Sequence, residues 1–148
     1  MRVAVGCDHA GLNLKQTIAA RLRELGHTVE DFGVSTPESS DYPEQAAAVA
    51  KAVAGQKAER GVLVCGSGVG MCIAANRFAG VRAVNATLLK HARLARQHNN
   101  ANLLCLGERL MAPDLALEIL DDFLNTEFEG GRHQRRLDKI EALSGGGA

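Results

Sequence analysis

Gly61-Val62-Leu63-Val64-Cys65-Gly66-Ser67-Gly68-Val69-Gly70 is the stretch on which the reading of the fold turns. Gly61 to Cys65 is hydrophobic throughout, which predicts a strand buried on both faces, the usual state of a strand inside a parallel sheet. The three alternate glycines that follow let the backbone come close to a ligand. Ile73 to Phe78 then belongs to a helix. A buried strand, a glycine-rich turn and a helix in that order form the repeating unit of an α/β sheet.

The same unit recurs on either side. Toward the N-terminus, Arg2 to Cys7 predicts a strand, and Leu12, Ile18, Ala19, Leu22 and Leu25 recur at helical spacing until Gly26. Thr28 to Val34 predicts a second strand. Ser35 to Tyr42 is a polar loop that Pro37 and Pro43 keep irregular, and Pro43 opens an alanine-rich helix ending near Gly55. Toward the C-terminus follow a strand at Val81 to Val84, a helix at Leu88 to Gln97, a strand at Asn102 to Leu106 and a helix at Pro113 to Leu124. The expected fold class is α/β: three layers around a five-stranded parallel sheet of Rossmann or flavodoxin type, with right-handed crossovers.

Residues 1–148 are expected to form one domain, with 130–143 as an extra C-terminal helix. Glu129-Gly130-Gly131 breaks the pattern, Arg132 to Leu143 reads as a charged helix, and Gly145 to Gly147 is a low-complexity tail. A lone exposed helix is marginal in water, so this one needs a surface to pack on. A neighbouring subunit is one such surface, which leads us to expect a homo-oligomer; the helix's own domain is the alternative.

Composition narrows the function classes. The apolar fraction of 46% and charged fraction of 23% are those of a globular domain. A formal net charge of zero removes the general electrostatic argument for nucleic acid or an anionic membrane. No apolar run approaches the roughly 20 residues that span a bilayer, and the opening Met1-Arg2-Val3-Ala4-Val5-Gly6 lacks a secretory h-region. Cys7, Cys65, Cys72 and Cys105 form no CxxC pair, so reduced thiols and a cytoplasmic location are expected.

Parallel α/β sheets collect ligands at the carboxyl ends of their strands. The first strand delivers Gly6-Cys7-Asp8-His9-Ala10-Gly11, with Leu12-Asn13 where a nucleotide P-loop needs Lys-Ser/Thr. What it offers there is a carboxylate and an imidazole; alternatively Asp8 caps the next helix and His9 is a surface residue. The third strand delivers Cys65 and the turn Gly66-Ser67-Gly68-Val69-Gly70. Met71 stands where the third glycine of a dinucleotide fingerprint belongs, and no acid lies between Glu59 and Glu108 to hold a ribose, so that reading fails. Free N–H groups at such a turn favour an anion or a developing oxyanion, and a thiol placed there can act as nucleophile or base. The alternative for Cys65, a small buried hydrophobe, suits Cys7, Cys72 and Cys105 well.

Arg96-Gln97-His98-Asn99-Asn100 clusters an imidazole with amides at the end of the fourth helix, as a catalytic group or as a favourable C-terminal charge. Arg109 follows the last strand. Arg132 and Arg136 are four apart, so they share one helix face, either to grip a phosphate or as a solvated surface. His9, His98 and the cysteines show no metal-ligand spacing, so neither metal nor cofactor is expected.

Taken together, Gly6-Cys7-Asp8-His9-Ala10-Gly11, Asp41-Tyr42-Pro43, Cys65 to Gly70, Ala74-Ala75-Asn76, His98-Asn99-Asn100-Ala101-Asn102 and Gly130-Gly131-Arg132-His133 resemble the type B ribose-5-phosphate isomerases, a family that also holds galactose-6-phosphate and allose-phosphate isomerases. The resemblance runs from residue 2 to about 143 with every motif in order. It implies interconversion of ribose 5-phosphate and ribulose 5-phosphate, as in the pentose phosphate pathway, with a hexose 6-phosphate as the alternative substrate and a non-catalytic sugar-phosphate-binding module as a third reading. It implies Cys65 as the base that moves a proton between C1 and C2 and His98 as the group that assists ring opening; an enediolate also needs donors aimed at the oxygens that gain charge, which the N–H groups of residues 66 to 70 and the Ser67 hydroxyl offer. Asp8, His9, Gly66, Ser67, Gly68, Val69, Gly70, Asn99, Arg109, Arg132 and Arg136 match positions that hold the sugar and its phosphate. It also implies a homodimer with the site between subunits, with pairing into tetramers left open. Ala86 to His91 is more apolar and basic than the resemblance leads us to expect, and Arg77 replaces the more usual Lys.

Overall fold

The structure, a computed structural model, describes residues 1–145; the expected Gly-rich tail lies outside them from residue 146 on, as do the last residues of the expected domain. The elements are β1 (Arg2–Cys7), α1 (Leu12–Glu24), β2 (Thr28–Asp31), α2 (Tyr42–Ala54), β3 (Arg60–Cys65), α3 (Val69–Ala75), β4 (Ala83–Asn85), α4 (Leu89–Asn99), β5 (Leu103–Gly107), α5 (Pro113–Asn125) and α6 (Arg132–Gly145), with a 3-10 turn at His9–Gly11. All strand pairs are parallel, and the order across the sheet is β2-β1-β3-β5-β4. The flavodoxin order would place the fourth strand before the fifth; here β5 is inserted between β3 and β4.

Each strand divides its side chains between two cores, because successive residues point to opposite faces. Val3, Val5, Val62, Val64, Leu104 and Leu106 meet Ile18, Leu22, Ile119 and Phe123 on one face. Ala4, Leu63, Cys65, Leu103 and Cys105 meet the alanine-rich α2 and Met71 of α3 on the other. Burial of these branched and aromatic side chains, at roughly 1.5–3 kcal/mol each, holds the three layers together.

Two elements stop short of their expected ends. The second strand ends at Asp31 rather than Val34 because the Asp31 carboxylate accepts the Gly33 N–H (2.8 Å) and so closes a local turn, while also pairing with the buried Lys15 Nζ at 2.6 Å. The third helix ends at Ala75 because the Asn76 side chain behaves as a strand neighbour. Its Oδ1 accepts from Ala83 N (2.8 Å) and its Nδ2 donates to Ala83 O (3.0 Å), which anchors the start of β4.

The terminal helix α6 lies partly on its own chain. His133 and Leu137, one turn apart, are buried against α4, whereas Ile140 and Leu143 remain 49% and 80% exposed. Between α6, α4 and β4 runs an apolar groove of about 490 Å³, lined by Phe78, Val84, Asn99, Leu137, Ile140 and Leu143 among others.

Candidate active site

The order of the sheet reverses direction between β1 and β3, and such a switch point opens a crevice at the carboxyl ends of the two strands. Asp8 and His9 leave β1 there, and Cys65 to Gly70 leave β3. Asp8, His9, Cys65, Gly66, Ser67 and Gly70 line a cavity of about 360 Å³ with Tyr42, Arg109 and Leu110, a size suited to a small molecule, whereas Gly68 and Val69 do not line it.

Cys65 is 5% exposed, and its Sγ accepts a hydrogen bond from Gly68 N at 3.0 Å. Gly68 adopts a left-handed φ of +80°, and a side chain there would meet Asn85 Oδ1 at 2.7 Å, so only glycine turns this N–H onto the sulfur. The sulfur acts as acceptor, the role a thiolate fills best. Ser67 Oγ accepts from Val69 N (3.2 Å), which leaves its hydroxyl proton free to donate into the cavity. The N–H groups of Gly66, Ser67 and Gly70 have no acceptor among the described residues.

The opposite wall is built by β1. Asp8 is 7% exposed and its Oδ1 accepts from Ala10 N at 2.9 Å, so it caps the 3-10 turn while lining the cavity. His9 is bound twice to Ser40: its N–H donates to Ser40 Oγ, and its Nδ1 accepts from Ser40 N, each at 3.1 Å. In the neutral ring the proton therefore sits on Nε2. The Arg109 guanidinium packs over Gly66, where an added Cβ would lie 3.2 Å from it, and it takes no carboxylate partner among the described residues.

Tyr42 was not singled out from the sequence as a site residue. Its ring lies so close to Gly70 that an added Cβ would be 2.6 Å from Cζ. The signals in the sequence were its place in the Asp41-Tyr42-Pro43 motif of the resemblance and its being the single tyrosine of the chain, at the end of a polar loop.

His98, Asn99, Arg132 and Arg136 do not join this cavity. A helix that follows a parallel strand runs back along the sheet, so α4 ends at the amino edge of the strands, where Asn102 bonds to Gly61 and Arg82. The six-residue β3 separates that edge from Cys65 by about 17 Å. There the His98 ring stacks on His133, with centroids 4.4 Å apart and planes 13° from parallel. Glu129 Oε2 lies 3.5 Å from His133 Nε2 and 4.0 Å from His98 Nε2. Desolvation foremost, and then the neighbouring His98 and Arg132, hold the His133 imidazole below its ordinary pKa of 6.5. Arg132 and Arg136 stand exposed one turn apart on α6. Spacing alone did not reveal the His98–Glu129–His133 cluster, because its members meet only through the packing of α6 on α4.

A thiol, a free guanidinium and unpaired N–H groups converge at the switch point of a parallel α/β sheet, an arrangement that suits a small anionic molecule. The model of the Ribose/Galactose Isomerase family matches residues 3–140, and the chain belongs to that family. Ribose-5-phosphate isomerase B of Escherichia coli is 48% identical over 142 residues, spanning 96% of this chain and 95% of that protein. D-erythrulose-4-phosphate isomerase of Pectobacterium atrosepticum is 41% identical over 141 residues, spanning 95% and 93%. The structure of Clostridium thermocellum ribose-5-phosphate isomerase B superposes with a TM-score of 0.99 at 45% identity, with all of both chains covered. Among the described residues no helix is long and apolar enough to cross a membrane.

Proposed function

We propose that this chain is an aldose–ketose isomerase that interconverts ribose 5-phosphate and ribulose 5-phosphate, with Cys65 as the base. The observation that carries this reading is the Cys65 sulfur held 3.0 Å from Gly68 N–H inside a cavity lined by Asp8, His9, Tyr42, Ser67 and Arg109. The Cys65 thiolate takes the proton from C2 of the open-chain aldose, and the electron pair passes through the new C1–C2 double bond to the C1 oxygen. The free N–H groups of the turn and the Ser67 hydroxyl stabilise the charge on that oxygen. The C1 oxygen gains a proton, the C2 hydroxyl loses one, and the thiol returns its proton to C1, leaving the ketose. The four thiols are free, which suits the reducing cytoplasm in which we place the enzyme.

The working unit in this reading is a homodimer. One chain holds the base at one edge of its sheet and His98, Asn99, Arg132 and Arg136 at the other, so a site with all of them needs two copies. In that arrangement His98 of a second copy assists opening of the sugar ring, and its two arginines hold the phosphate. The exposed Ile140 and Leu143 beside the apolar groove supply surface for such a contact.

Steady-state isomerisation by wild type and Cys65→Ala tests the assignment, with ribose 5-phosphate, erythrulose 4-phosphate and allose 6-phosphate run in parallel. Pentose turnover that collapses in the variant supports it. Preference for the tetrulose or the hexose phosphate keeps the chemistry and changes the substrate. Tight sugar-phosphate binding without turnover by wild type would make the protein a binding module.

A further inference from the structure

We propose that Cys72 and Cys105 form a dithiol site for peroxide, oxidised to a disulfide that slows turnover at the neighbouring glycine-rich turn. The site stands apart from the functional reading above; its effect on turnover rests on that reading.

Cys72 belongs to α3 and Cys105 to β5, and the fold brings them together on one face of the sheet. Asn85 is the partner of Cys105 across the parallel β4–β5 ladder, and Ala83 stands two residues before it. The Cys72 sulfur sits over this stretch of β4: it donates to Ala83 O at 3.5 Å and is also bonded to the Asn85 backbone. There the Cys105 thiol donates a hydrogen bond to it. Cys7 lies in the core on the opposite face, and Cys65 stands across from Gly107, two residues further along the sheet.

The two thiols differ in the way an attacking and a resolving cysteine differ. Cys72 is half-buried, so a small oxidant reaches it from solvent, and the Asn76 amide donates to its sulfur at 3.6 Å. The hydrogen bond from Cys105 holds Cys72 below the ordinary thiol value of 9.0. Cys105 is fully buried, and burial keeps it protonated well above that value. Redox-sensing cysteines are reachable, thiolate-leaning and placed beside a second thiol.

The Cys72 thiolate attacks one oxygen of hydrogen peroxide. The S–O bond forms, the O–O bond breaks, and the departing hydroxide takes up the proton that Cys72 gave. The Cys105 sulfur then attacks the sulfenic sulfur of Cys72. The S–S bond forms, the S–O bond breaks, and the hydroxide leaves as water with the Cys105 proton. Two thiols give up two electrons, and the peroxide is reduced to two waters.

A disulfide bond of about 2.05 Å lies far inside the contact distance of two sulfur atoms, so closing it draws Cys72 toward β5. Cys72 N–H closes the first turn of α3 by donating to Gly68 O at 3.1 Å. Gly68 N–H in turn donates to the Cys65 sulfur at 3.0 Å. Two hydrogen bonds thus carry the displacement to the group that holds the base.

Reduced protein treated with hydrogen peroxide, then alkylated and mapped by peptide mass analysis, tests the site. The expected product is a cross-link from Cys105 to the tryptic peptide that carries both Cys65 and Cys72, reversed by dithiothreitol. The link should form in Cys65→Ala and be absent in Cys72→Ser. In Cys105→Ala the reaction should stop at a Cys72 sulfenic acid, which dimedone traps. Cys72→Ser changes one atom of a half-buried side chain, so its result does not depend on refolding. Thiols recovered intact in wild type, or a link that persists in Cys72→Ser, would overturn the site. A fall in wild-type kcat of at least about tenfold on oxidation, restored by dithiothreitol and absent in Cys72→Ser, supports the effect on turnover. No fall in an active, cross-linked wild type, or an equal fall in Cys72→Ser, keeps the site and overturns that effect. A wild type that forms the link yet turns over no sugar phosphate overturns the isomerase reading instead.

Discussion

His9 and Ser40 are joined by two reciprocal hydrogen bonds, each 3.1 Å long, from His9 N to Ser40 Oγ and from Ser40 N to His9 Nδ1. This pair clips the loop between β2 and α2 onto the first strand and fixes which ring nitrogen of His9 carries the proton. Ser40→Ala removes one of the two bonds and leaves the other. A bond of this kind contributes about 1 kcal/mol, so KM for the sugar phosphate should rise about fivefold with kcat little changed. Initial-rate kinetics check this, and an unaltered KM would show that the clip does not position His9 for substrate.

Gly70→Ala separates stability from function. Gly70 lies in the first turn of α3, where alanine is favoured over glycine by up to about 1 kcal/mol. The added methyl group, however, would sit 2.6 Å from the Tyr42 ring and must displace it from the cavity. The expected result is a melting temperature at or near that of wild type, with a severalfold loss in kcat/KM. A parallel Tyr42→Ala variant should show a similar kinetic loss. Wild-type kinetics in Gly70→Ala would remove Tyr42 from the site.

The residues at the carboxyl edge were legible in the sequence because topology alone brings strand ends together: Asp8 and His9 follow one buried run, Cys65 to Gly70 another, and Arg109 a third. The position of His98 was not legible in the same way. Its spacing from the next strand is that of a residue near the sheet, but a helix running back along the sheet delivers its last turn to the opposite edge. Tyr42 stands in the Asp41-Tyr42-Pro43 motif but carried no assigned role, because the first residue of α2 reaches the cavity only through tertiary packing, here against the bare surface of Gly70. The insertion of β5 between β3 and β4 leaves no trace in periodicity, since both strands read alike in either order. The turn at Asp31 and the Asn76 side chain that imitates a strand neighbour are likewise side-chain events that override the local pattern.

The four thiols should separate by alkylation. Burial pushes Cys7 up from 9.0 to about 11 and pushes Cys105 well above the same value. Cys72 is half-buried and lies below that value, chiefly through its hydrogen bond with Cys105. The thiolate is the reactive form, so Cys72 should be labelled by iodoacetamide near neutral pH well before Cys7 or Cys105, as read by peptide mass analysis. Inactivation by such reagents therefore does not identify the base, which Cys65→Ala does. The raised Cys7 value also fixes a sign. As pH climbs from 9 toward 11 the unfolded chain loses this proton first, so folding stability is full below pH 9 and falls above it, by about 2 kcal/mol for this group. Urea titrations at pH 8 and pH 10.5 should show that fall, and Cys7→Ala should reduce it.

Separation of Cys65 from His98 by the length of β3 gives the dimer reading a decisive test. Cys65→Ala lacks the base and His98→Asn lacks the ring-opening imidazole, so each homodimer should be nearly inactive. If each site takes Cys65 from one chain and His98 from the other, a mixed dimer carries one doubly damaged site and one intact site. Random reassortment makes half the dimers mixed, so co-expressed variants should recover about a quarter of wild-type activity. Tagging the two chains differently and purifying the mixed species should raise that to about half. If both residues serve the same chain's site, no intact site can form and activity stays at the level of the single variants.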